Sequence, residues 1–341
     1  MKSLADLNTL AVPARARVLH RIDCVEDLLR VWRVGQEQGW LPRLLGGGSN
    51  VVLAEQISAP LCLMRIRGIG AAAAQDGVHV RAAAGESWHG LVRWSLGQGL
   101  SGLENLALIP GSVGAAPVQN IGAYGVELAE RFVVADVLDM ATGALRQMHS
   151  EEMAFGYRSS QMKGAPEKYA VLSLTLRLDG SPTGVNASYP DIAEELARMG
   201  RAEAPAPVQV AEAVIRVRRR KLPDPRVMPN AGSFFKNPVV STETYARMVG
   251  IHGALKSYPD PGGVKLAAAQ LIERCMRADE GERSWAQADA PIRVWSRQPL
   301  VLTNPGRRPA TEVLAMADQI RDAVRSRFDV RLQMEPDLIA D

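Results

Sequence analysis

Hydrophobic residues along the chain follow two spacings, which predict helices and strands in irregular alternation. Apolar residues recur at helical intervals in several segments, and these predict helices over 25–37, 87–96, 192–199, 208–221, 266–276 and 311–328. Short apolar runs bounded by turn residues predict strands over 41–45, 51–53, 61–66, 78–83, 133–139, 170–178, 300–303 and 330–334. With no internal repeat along the chain, the pattern predicts an α+β fold.

The composition is that of an ordinary globular protein. The 341 residues suffice for two or three domains, and 47% of them are hydrophobic while 23% are charged. A net charge of +3, with five Phe and six Tyr, argues against nucleic-acid binding. No segment approaches the roughly 18 apolar residues of a membrane span, and the N-terminal sequence has no secretory signal pattern. We therefore expect neither a nucleic-acid nor a membrane partner.

Cysteine and histidine are too scattered for a disulfide framework or a metal site. The three cysteines, Cys24, Cys62 and Cys275, lie far apart, which is typical of reduced thiols in a reducing compartment. The five histidines form no pair at helical spacing and no cluster. We expect a cytoplasmic protein without a metal ion, and we take it to be a monomer.

The most informative segment is PGSVGAAPVQNIGAYG at 110–125. Its glycines and alanines leave a long stretch of backbone with almost no side chains, so that main-chain N–H groups can approach a ligand closely. Successive exposed N–H groups form a concavity suited to a diphosphate. The long polar side chains within it, Gln119, Asn120 and Tyr124, can hydrogen-bond a ligand edge. We interpret 110–125 as a cofactor loop and use that name below.

A second glycine segment has two open interpretations. GGGSN at 46–50 lies between two apolar runs, which predicts a strand, a turn of phosphate size and another strand. Neither a following helix nor a Gly-Lys-Ser/Thr sequence is present, so the pattern is not that of a P-loop. It is either a structural hairpin turn or a second part of a cofactor site, and the cofactor loop favours the second.

Two segments carry candidate catalytic side chains. Arg158, in GYRSS at 156–160, can stabilise a developing oxyanion or a carboxylate, although an exposed loop arginine would look the same. Ser233, in NAGSFFKNP at 230–238, follows glycine and precedes two phenylalanines, an arrangement that can hold a hydroxyl rigidly as a proton donor. No Gly-x-Ser-x-Gly elbow surrounds it, so acyl transfer is disfavoured, and a structural turn serine is the alternative.

The C-terminal segment and a basic run supply charged candidates. Val330, Leu332 and Met334 alternate toward one face of the predicted last strand, so Glu335 and Asp337 project together near its end. They are either an acid or electrostatic group of a site, or a solvated chain end. The basic run at 216–221 either binds a phosphate chain or is a solvated helix end.

Taken together, these motifs are similar to those of one family. The chain resembles the UDP-N-acetylenolpyruvoylglucosamine reductases, flavoenzymes that make UDP-N-acetylmuramate for bacterial cell walls. The resemblance covers nearly the whole chain and rests on Asn8-Thr9-Leu10, GGGSN at 46–50, Gly102-Leu103-Glu104, PGSVGAAPVQNIGAYG at 110–125, GYRSS at 156–160, KLPDP at 221–225 and NAGSFFKNP at 230–238. Tyr189, in Ser188-Tyr189-Pro190-Asp191, indicates the subclass with an extra loop that covers the substrate.

The resemblance implies a domain organisation and a cofactor site. It implies a two-part FAD-binding domain of the vanillyl-alcohol-oxidase type and a C-terminal α+β substrate domain. The expected boundaries are 1–69 with 329–341 returning, 70–207 with the Tyr189 loop, and 208–328. Non-covalent FAD would be held by Gly46, Gly47, Gly48, Ser49, Asn50, Pro110, Gly111, Ser112, Gly114, Ala115, Gln119, Asn120, Ile121, Gly122 and Tyr124.

The resemblance also implies a reaction and its residues. NADPH would reduce the flavin, and UDP-N-acetylglucosamine enolpyruvate would then take its place and accept the hydride. Arg158 and Glu335 would stabilise the enolic intermediate, and Ser233 would protonate it. The UDP part would be bound by Tyr189, Arg218, Lys221, Asn237 and Gln298.

Departures from the family pattern leave some points open. Pro336 and Asp337 follow Glu335 where the family has valine and a basic residue, so Asp337 remains an alternative to Glu335. The stretch 279–295 lacks the family's glycine-rich turn and its valine-histidine. Another flavin oxidoreductase of the same fold, such as an oxidase of small alcohols, and a catalytically silent flavin- or nucleotide-binding module are the competing functions. The oxidase is disfavoured because it needs neither NAGSFFKNP, nor Arg158, nor the residues that would bind UDP, and the silent module is disfavoured because Arg158, Ser233 and Glu335 are all present.

Overall fold

The protein divides into two units in this computed structural model, which describes residues 1–181, 185–278 and 281–341. The first unit comprises 1–2, 16–48 and 58–220, and the second comprises 3–15, 49–57 and 221–341. The chain therefore passes from one unit to the other several times. Pro182 and Gly184, which belong to the predicted 70–207 domain, lie outside the described residues, as do Asp279 and Glu280.

A five-stranded antiparallel sheet is the largest element of the first unit. Its strands, in spatial order, are Leu145–His149, Phe132–Asp139, Tyr169–Leu178, Gly77–Ala83 and Ile69–Ala74. The central strand Tyr169–Leu178 is buried along most of its length, as its apolar sequence requires. Helix Trp88–Gly97 buries Trp88 and Leu91 in the same core, where Ser87 caps it by accepting a hydrogen bond from the Gly90 amide at 3.2 Å.

The first unit also contains a small parallel sheet. Leu61–Met64 lies between Leu19–Ile22 and Arg43–Leu45. Helix Val25–Gln38 follows strand Leu19–Ile22 and places Leu28 in a core that also contains Ile22 and Cys62. Further elements of this unit are the short strands Gly122–Ala123 and Val126–Glu127 and the helices Ser150–Met153, Gln161–Gly164, Pro190–Arg198 and Pro207–Lys221, whose last residue belongs to the second unit.

The described part of the second unit consists of small sheets and α-helices. Helices Thr242–His252, Ala268–Cys275 and Ala310–Phe328 accompany a sheet in which Gln298–Thr303 lies between Asn230–Ser233 and Arg293–Trp295. A second sheet has the order Val239–Val240, Gly263–Leu266 and Ser257–Asp260. Val51–Leu53 pairs in parallel with Asp337–Ile339, so residues almost 290 positions apart form one ladder. Two-residue strands lie at Lys2–Ser3, Arg15–Ala16, Gln56–Ile57, Arg277–Ala278 and Gly281–Glu282.

Most predicted elements are confirmed with ends displaced by a few residues. The predicted last strand over 330–334 is wrong: apart from an isolated bridge at Met334, the strand is Asp337–Ile339. Val330 and Leu332 are buried as their alternation indicated, but the backbone here forms only a short bridge, with Met334 opposite Phe235. The hairpin interpretation of GGGSN is also wrong, because Arg43–Leu45 and Val51–Leu53 belong to different sheets.

The sequence pattern did not predict several elements of the fold. The alanine-rich strand Ile69–Ala74 has too little apolar alternation to be recognised, and it forms an edge of the five-stranded sheet with much of its surface exposed. Helix Thr242–His252 carries few residues that it buries, so its apolar face gave a weak signal. In the part of the chain that the structure describes, no helix combines the length and apolarity needed to cross a membrane.

Candidate active site

In the first unit, the cofactor loop is held by the segment that leads into helix Trp88–Gly97. The Trp88 amide donates to the Gly111 carbonyl at 3.0 Å, and the Val113 amide donates to the Glu86 carbonyl at 2.8 Å. These bonds fix the start of the loop on a rigid element that is itself part of the core. The loop therefore has a defined backbone path although it has few side chains of its own.

The two glycine segments of the sequence meet in the first unit. A Cβ placed on Gly47 would lie 2.7 Å from the Gly111 Cα, and one on Gly46 would lie 2.5 Å from the Ser112 hydroxyl oxygen. Side chains at these positions would therefore force the segments apart. The Ser112 hydroxyl is buried and has no hydrogen-bond partner within the described residues. A buried, unsatisfied hydroxyl beside a glycine-lined surface is suited to a polar ligand.

The polar side chains of the cofactor loop differ in how they are used. Asn120 is buried, and its amide donates to the Glu127 carboxylate at 2.8 Å and the Gly156 carbonyl at 3.3 Å, while its oxygen accepts from the Ala129 amide at 3.0 Å. The Asn120 side chain is thus occupied within the protein, where it holds the loop to Glu127, Ala129 and Gly156. The remaining loop candidates lie in the same stretch, with Gly114 and Ala115 in the turn Val113–Ala115 and with Pro110, Gln119 and Ile121 on either side.

Arg158 occupies a backbone conformation that favours glycine. It is the third residue of a turn closed by reciprocal hydrogen bonds between Gly156 and Ser159, and its φ is +51°. Its guanidinium donates to the Gly122 carbonyl of the cofactor loop at 3.0 Å. The next residue but one, Ser160, donates to the Val118 carbonyl. A strained arginine fastened to the candidate cofactor site supports the functional interpretation over an ordinary exposed loop residue.

Tyr124, Tyr189 and Arg218 form a group at the end of the cofactor loop. The two tyrosine rings pack edge to face with centroids 5.3 Å apart. Tyr124 shares a hydrogen bond with Arg218, and burial raises the pKa of the tyrosine. Burial lowers the pKa of Arg218, and the positive charge of nearby Arg158 lowers it further. Two neighbouring guanidinium groups with a partly desolvated charge form a surface suited to an anion.

Sequence reasoning missed Asn105, which connects two parts of this group. Its buried amide donates to the Tyr124 carbonyl at 3.0 Å and to the Asn186 carbonyl at 2.8 Å. Asn186 in turn donates to the Gly125 carbonyl at 3.0 Å. The segment that carries Tyr189 is thus joined to the cofactor loop. Two polar residues, Glu104 and Asn105, interrupt an apolar stretch from 103 to 109, and this was the signal that could have found it.

In the second unit, a bulge sets the direction of Ser233. Strand Asn230–Ser233 pairs with Gln298–Thr303 through Asn230 opposite Thr303 and Ser233 opposite Val301, so an extra residue lies between the two pairs. Gly232 has a φ of +71°, and its amide donates to the Asn230 side chain at 2.9 Å. The resulting bend re-aims the half-buried Ser233.

Glu335 is joined by a backbone hydrogen bond to Phe234, the residue that follows Ser233. The Phe234 amide donates to the Leu300 carbonyl at 2.7 Å, while its carbonyl accepts from the Glu335 amide at 3.0 Å. Glu335 is 7% exposed, whereas Asp337 is half-buried and forms part of the strand next to Val51–Leu53. The burial of Glu335 and its backbone bond to Phe234, the residue after Ser233, therefore favour Glu335 over Asp337.

Asn50 fixes the backbone around Glu335. Its side-chain amide donates to the Glu335 carbonyl at 3.4 Å, and its own carbonyl accepts from the Asp337 amide at 3.2 Å. The last residue of GGGSN thus contacts both sides of the segment that carries the candidate carboxylate.

The other second-unit candidates stand in different surroundings. The Asn237 side chain accepts from the Ala268 amide at 3.0 Å, which caps helix Ala268–Cys275. The Lys221 carbonyl accepts from the Trp295 indole at 3.1 Å. Gln298 begins the strand that pairs with Ser233. Ser233, Glu335 and Asn50 thus form one group, while Asn237 also serves a helix.

Comparison with known proteins covers the chain almost end to end. Residues 224–339 match the family model described as the C-terminal domain of UDP-N-acetylenolpyruvoylglucosamine reductase, and residues 16–149 match the FAD binding domain model. A UDP-N-acetylenolpyruvoylglucosamine reductase of Azoarcus sp. (strain BH72) is 44% identical over 98% of this chain and 95% of its own length. The chain belongs to the UDP-N-acetylenolpyruvoylglucosamine reductase family.

Further relatives of the reductase agree in sequence and fold. The enzyme of that name from Paraburkholderia phytofirmans is 45% identical over 96% of this chain and 94% of its own length. The crystal structure of UDP-N-acetylenolpyruvylglucosamine reductase from Thermus caldophilus covers 98% of this chain and 97% of its own, with 25% identity and a TM-score of 0.65. The reductase is accordingly an FAD-dependent oxidoreductase with an α+β fold and an FAD-binding domain of the vanillyl-alcohol-oxidase type.

The residues of the first unit fit the FAD that this family implies. The glycine contacts between 46–47 and 111–112 leave a surface without side chains, and the unsatisfied Ser112 hydroxyl can bond a phosphate oxygen. Several main-chain N–H groups of the cofactor loop, those of Gly114, Ala116 and Ile121 among them, already donate to carbonyls of the protein, so the fit rests on the glycine surface and on Ser112. These features agree with non-covalent binding through hydrogen bonds.

Proposed function

We propose that this reductase performs its reaction with Arg158, Ser233 and Glu335 as catalytic residues. The reaction is the NADPH-dependent, FAD-mediated reduction of UDP-N-acetylglucosamine enolpyruvate to UDP-N-acetylmuramate, a step of peptidoglycan synthesis. The observation that carries the residue assignment is the bulged strand that sets Ser233 beside the buried Glu335.

Each catalytic residue has a role that follows from its chemistry. FAD, which the surface around Gly46, Gly47 and Ser112 would hold, would supply hydride transfer from NADPH to C3 of the enolpyruvyl group. Arg158, which is always charged, stabilises the negative charge that develops on the substrate carboxylate and the enolic oxygen. Ser233 donates its hydroxyl proton to C2, which balances the hydride gained at C3. Glu335 contributes the second electrostatic contact to the enolic intermediate.

The UDP part of the substrate is bound by residues with cationic and polar side chains. Arg218 and Lys221 neutralise the diphosphate, and Tyr189 covers it from the segment joined to Tyr124. Asn237 and Gln298 supply polar contacts. Desolvation of Arg218 supports this assignment, because a partly dehydrated guanidinium gains most from an anionic ligand.

The organisation of the chain is part of the proposal. The FAD-binding domain comprises 1–69 with 329–341 and 70–207, and 208–328 binds the substrate. The pairing of Val51–Leu53 with Asp337–Ile339 supports the return of the C-terminus to the first part. The enzyme works in the cytoplasm as a monomer, with no nucleic-acid partner.

The experiment that tests this function follows the flavin absorbance of the purified enzyme by stopped flow. NADPH is added first, and UDP-N-acetylglucosamine enolpyruvate is then added without oxygen. Bleaching followed by prompt recovery is the expected result. Recovery only after oxygen is admitted would indicate an oxidase, and a flavin that NADPH does not bleach would indicate a silent binding module.

A further inference from the structure

The second residue of helix Trp88–Gly97, His89, is bonded to the chain just before the cofactor loop. Its Nδ1 accepts a hydrogen bond from the Leu108 amide at 3.0 Å. Because a backbone N–H can only donate, this bond places the imidazole proton on Nε2 and requires the neutral form of the ring.

The hydrogen bond from the Leu108 amide to His89 is made at a residue with an unfavourable backbone conformation. Leu108 has a φ of +59°, a left-handed conformation that is unfavourable for leucine. Trp88, the neighbour of His89, holds both sides of this residue: its indole donates to the Leu106 carbonyl at 3.1 Å and its amide donates to the Gly111 carbonyl at 3.0 Å. His89 therefore satisfies the amide in the middle of the turn that directs the chain into 110–125.

The surroundings of His89 keep it in the form that accepts this bond. Partial burial lowers its pKa from the usual value, and Arg93 on its own helix and Arg218 and Arg219 on helix Pro207–Lys221 lower it further. These arginines are the charged groups that act on it from both helices. A further positive charge beside these arginines is disfavoured, which favours the neutral imidazole that accepts the bond.

We propose that His89 is a positioning residue for FAD: its neutral imidazole holds the Leu108 amide and so fixes the path of the cofactor loop. The proposal rests on the assignment of 110–125 to FAD. His89 does not contact the reacting atoms, and its contribution is a cofactor site ordered before FAD arrives. Its effect falls on FAD affinity.

The proposal has a direct consequence at low pH. A protonated imidazole carries hydrogen on Nδ1 and repels the Leu108 N–H, so protonation and the bond exclude each other. Because the pKa in the folded protein is lowered, the contribution of the bond is fully present above the usual histidine pKa and is lost as the pH falls through the lowered value. FAD affinity should fall over the same range.

The test measures the dissociation constant of FAD by the fluorescence of released flavin, from pH 8 to pH 5, for the wild-type enzyme and two variants. His89→Ala removes the acceptor and should weaken FAD binding about tenfold at pH 8. His89→Asn places an amide oxygen where Nδ1 lies, so it should bind FAD within about twofold of wild type. Because asparagine does not titrate, its affinity should change less between pH 8 and pH 5 than that of wild type.

Gly47→Ala separates this proposal from the assignment of the loop. Its Cβ would collide with Gly111, so it should weaken FAD binding whether or not His89 matters. If Gly47→Ala binds FAD normally, the loop assignment fails. If Gly47→Ala weakens FAD while His89→Ala does not, the role of His89 alone is overturned. An acid-induced loss in His89→Asn as steep as in wild type also overturns it, even if His89→Ala fails to fold.

Discussion

At the scale of single residues, the contacts of a side chain decide whether it is available to a ligand. Arg158 differs from an ordinary surface arginine in its φ of +51° and in its hydrogen bond to the Gly122 carbonyl. Asn120 was a candidate ligand contact, yet its side chain is occupied within the protein. Asn105 was not predicted at all, because its function depends on partners 19 and 81 positions away.

Ser233→Ala tests the proton donor. The substitution removes the hydroxyl but leaves the bulge at Gly232 in place, so reduction of the flavin by NADPH should stay nearly normal. Reoxidation by the enolpyruvyl substrate should slow at least 100-fold, the usual contribution of a positioned acid. Single-turnover absorbance measurements of both half-reactions check this. Equal losses in the two halves would contradict the role.

Asn105→Leu tests whether the joined segment sets substrate binding. The variant loses both hydrogen bonds from one buried amide, so Tyr189 should lose its fixed position beside Tyr124. We expect KM for the UDP substrate to rise roughly 5- to 10-fold, with flavin content and kcat little changed, in steady-state assays. Asn304→Leu is the matched control, since Asn304 is also buried and bonded to backbone carbonyls. A rise in KM in both variants would point to general destabilisation.

At the scale of elements, periodic apolar spacing located helices and strands well where one face is buried. It failed where pairing depends on a distant partner, as in the displaced last strand Asp337–Ile339, whose ladder is made with Val51–Leu53. Helix ends were also decided by distant groups. Helix Ala268–Cys275 has no cap from its own Ala267, and Asn237 supplies the acceptor instead.

Asn237 variants separate its cap from its proposed substrate contact. Asn237→Ala removes the acceptor for the Ala268 amide and should reduce the free energy of unfolding by about 1 kcal/mol. Asn237→Asp keeps an acceptor at the helix N-terminus, so stability should be retained, while its negative charge should raise KM for the diphosphate substrate. Urea denaturation and steady-state kinetics measure the two effects. An aspartate variant as unstable as the alanine variant would contradict the cap.

At the scale of the whole molecule, the chain passes repeatedly between its two units, and no local sequence pattern predicts the residues at which it does so. GGGSN shows why this matters, since Gly46–48 belongs to the first unit and Ser49 and Asn50 belong to the second. One short motif therefore contributes to the contact with Gly111 and to the backbone around Glu335. The glycines of GGGSN and its Ser-Asn pair therefore have to be assigned separate roles, one in each unit.

Removal of FAD should lower the thermal stability of the enzyme. A ligand that binds only the folded protein stabilises it by about 2.7 kcal/mol at 100 times its dissociation constant. Scanning calorimetry should therefore show a lower Tm for the flavin-stripped enzyme, restored by added FAD. Riboflavin, which lacks the diphosphate, is the matched probe and should restore much less. Equal shifts with both would contradict a diphosphate contact at the glycine surface.

The sequence by itself determined the α+β class, most of the periodic elements and the family, because amphipathic spacing and unusual glycine-rich motifs are local and survive without coordinates. It also supplied Arg158, Ser233 and Glu335 as residues of suitable chemistry. Only the tertiary structure decided that Gly46 and Gly47 lie against Gly111 and Ser112, that His89 accepts from the Leu108 amide, and that Asn105 donates to the Tyr124 carbonyl. Such contacts join segments far apart in the chain, where their energies depend on burial and hydrogen-bond geometry that no local spacing encodes.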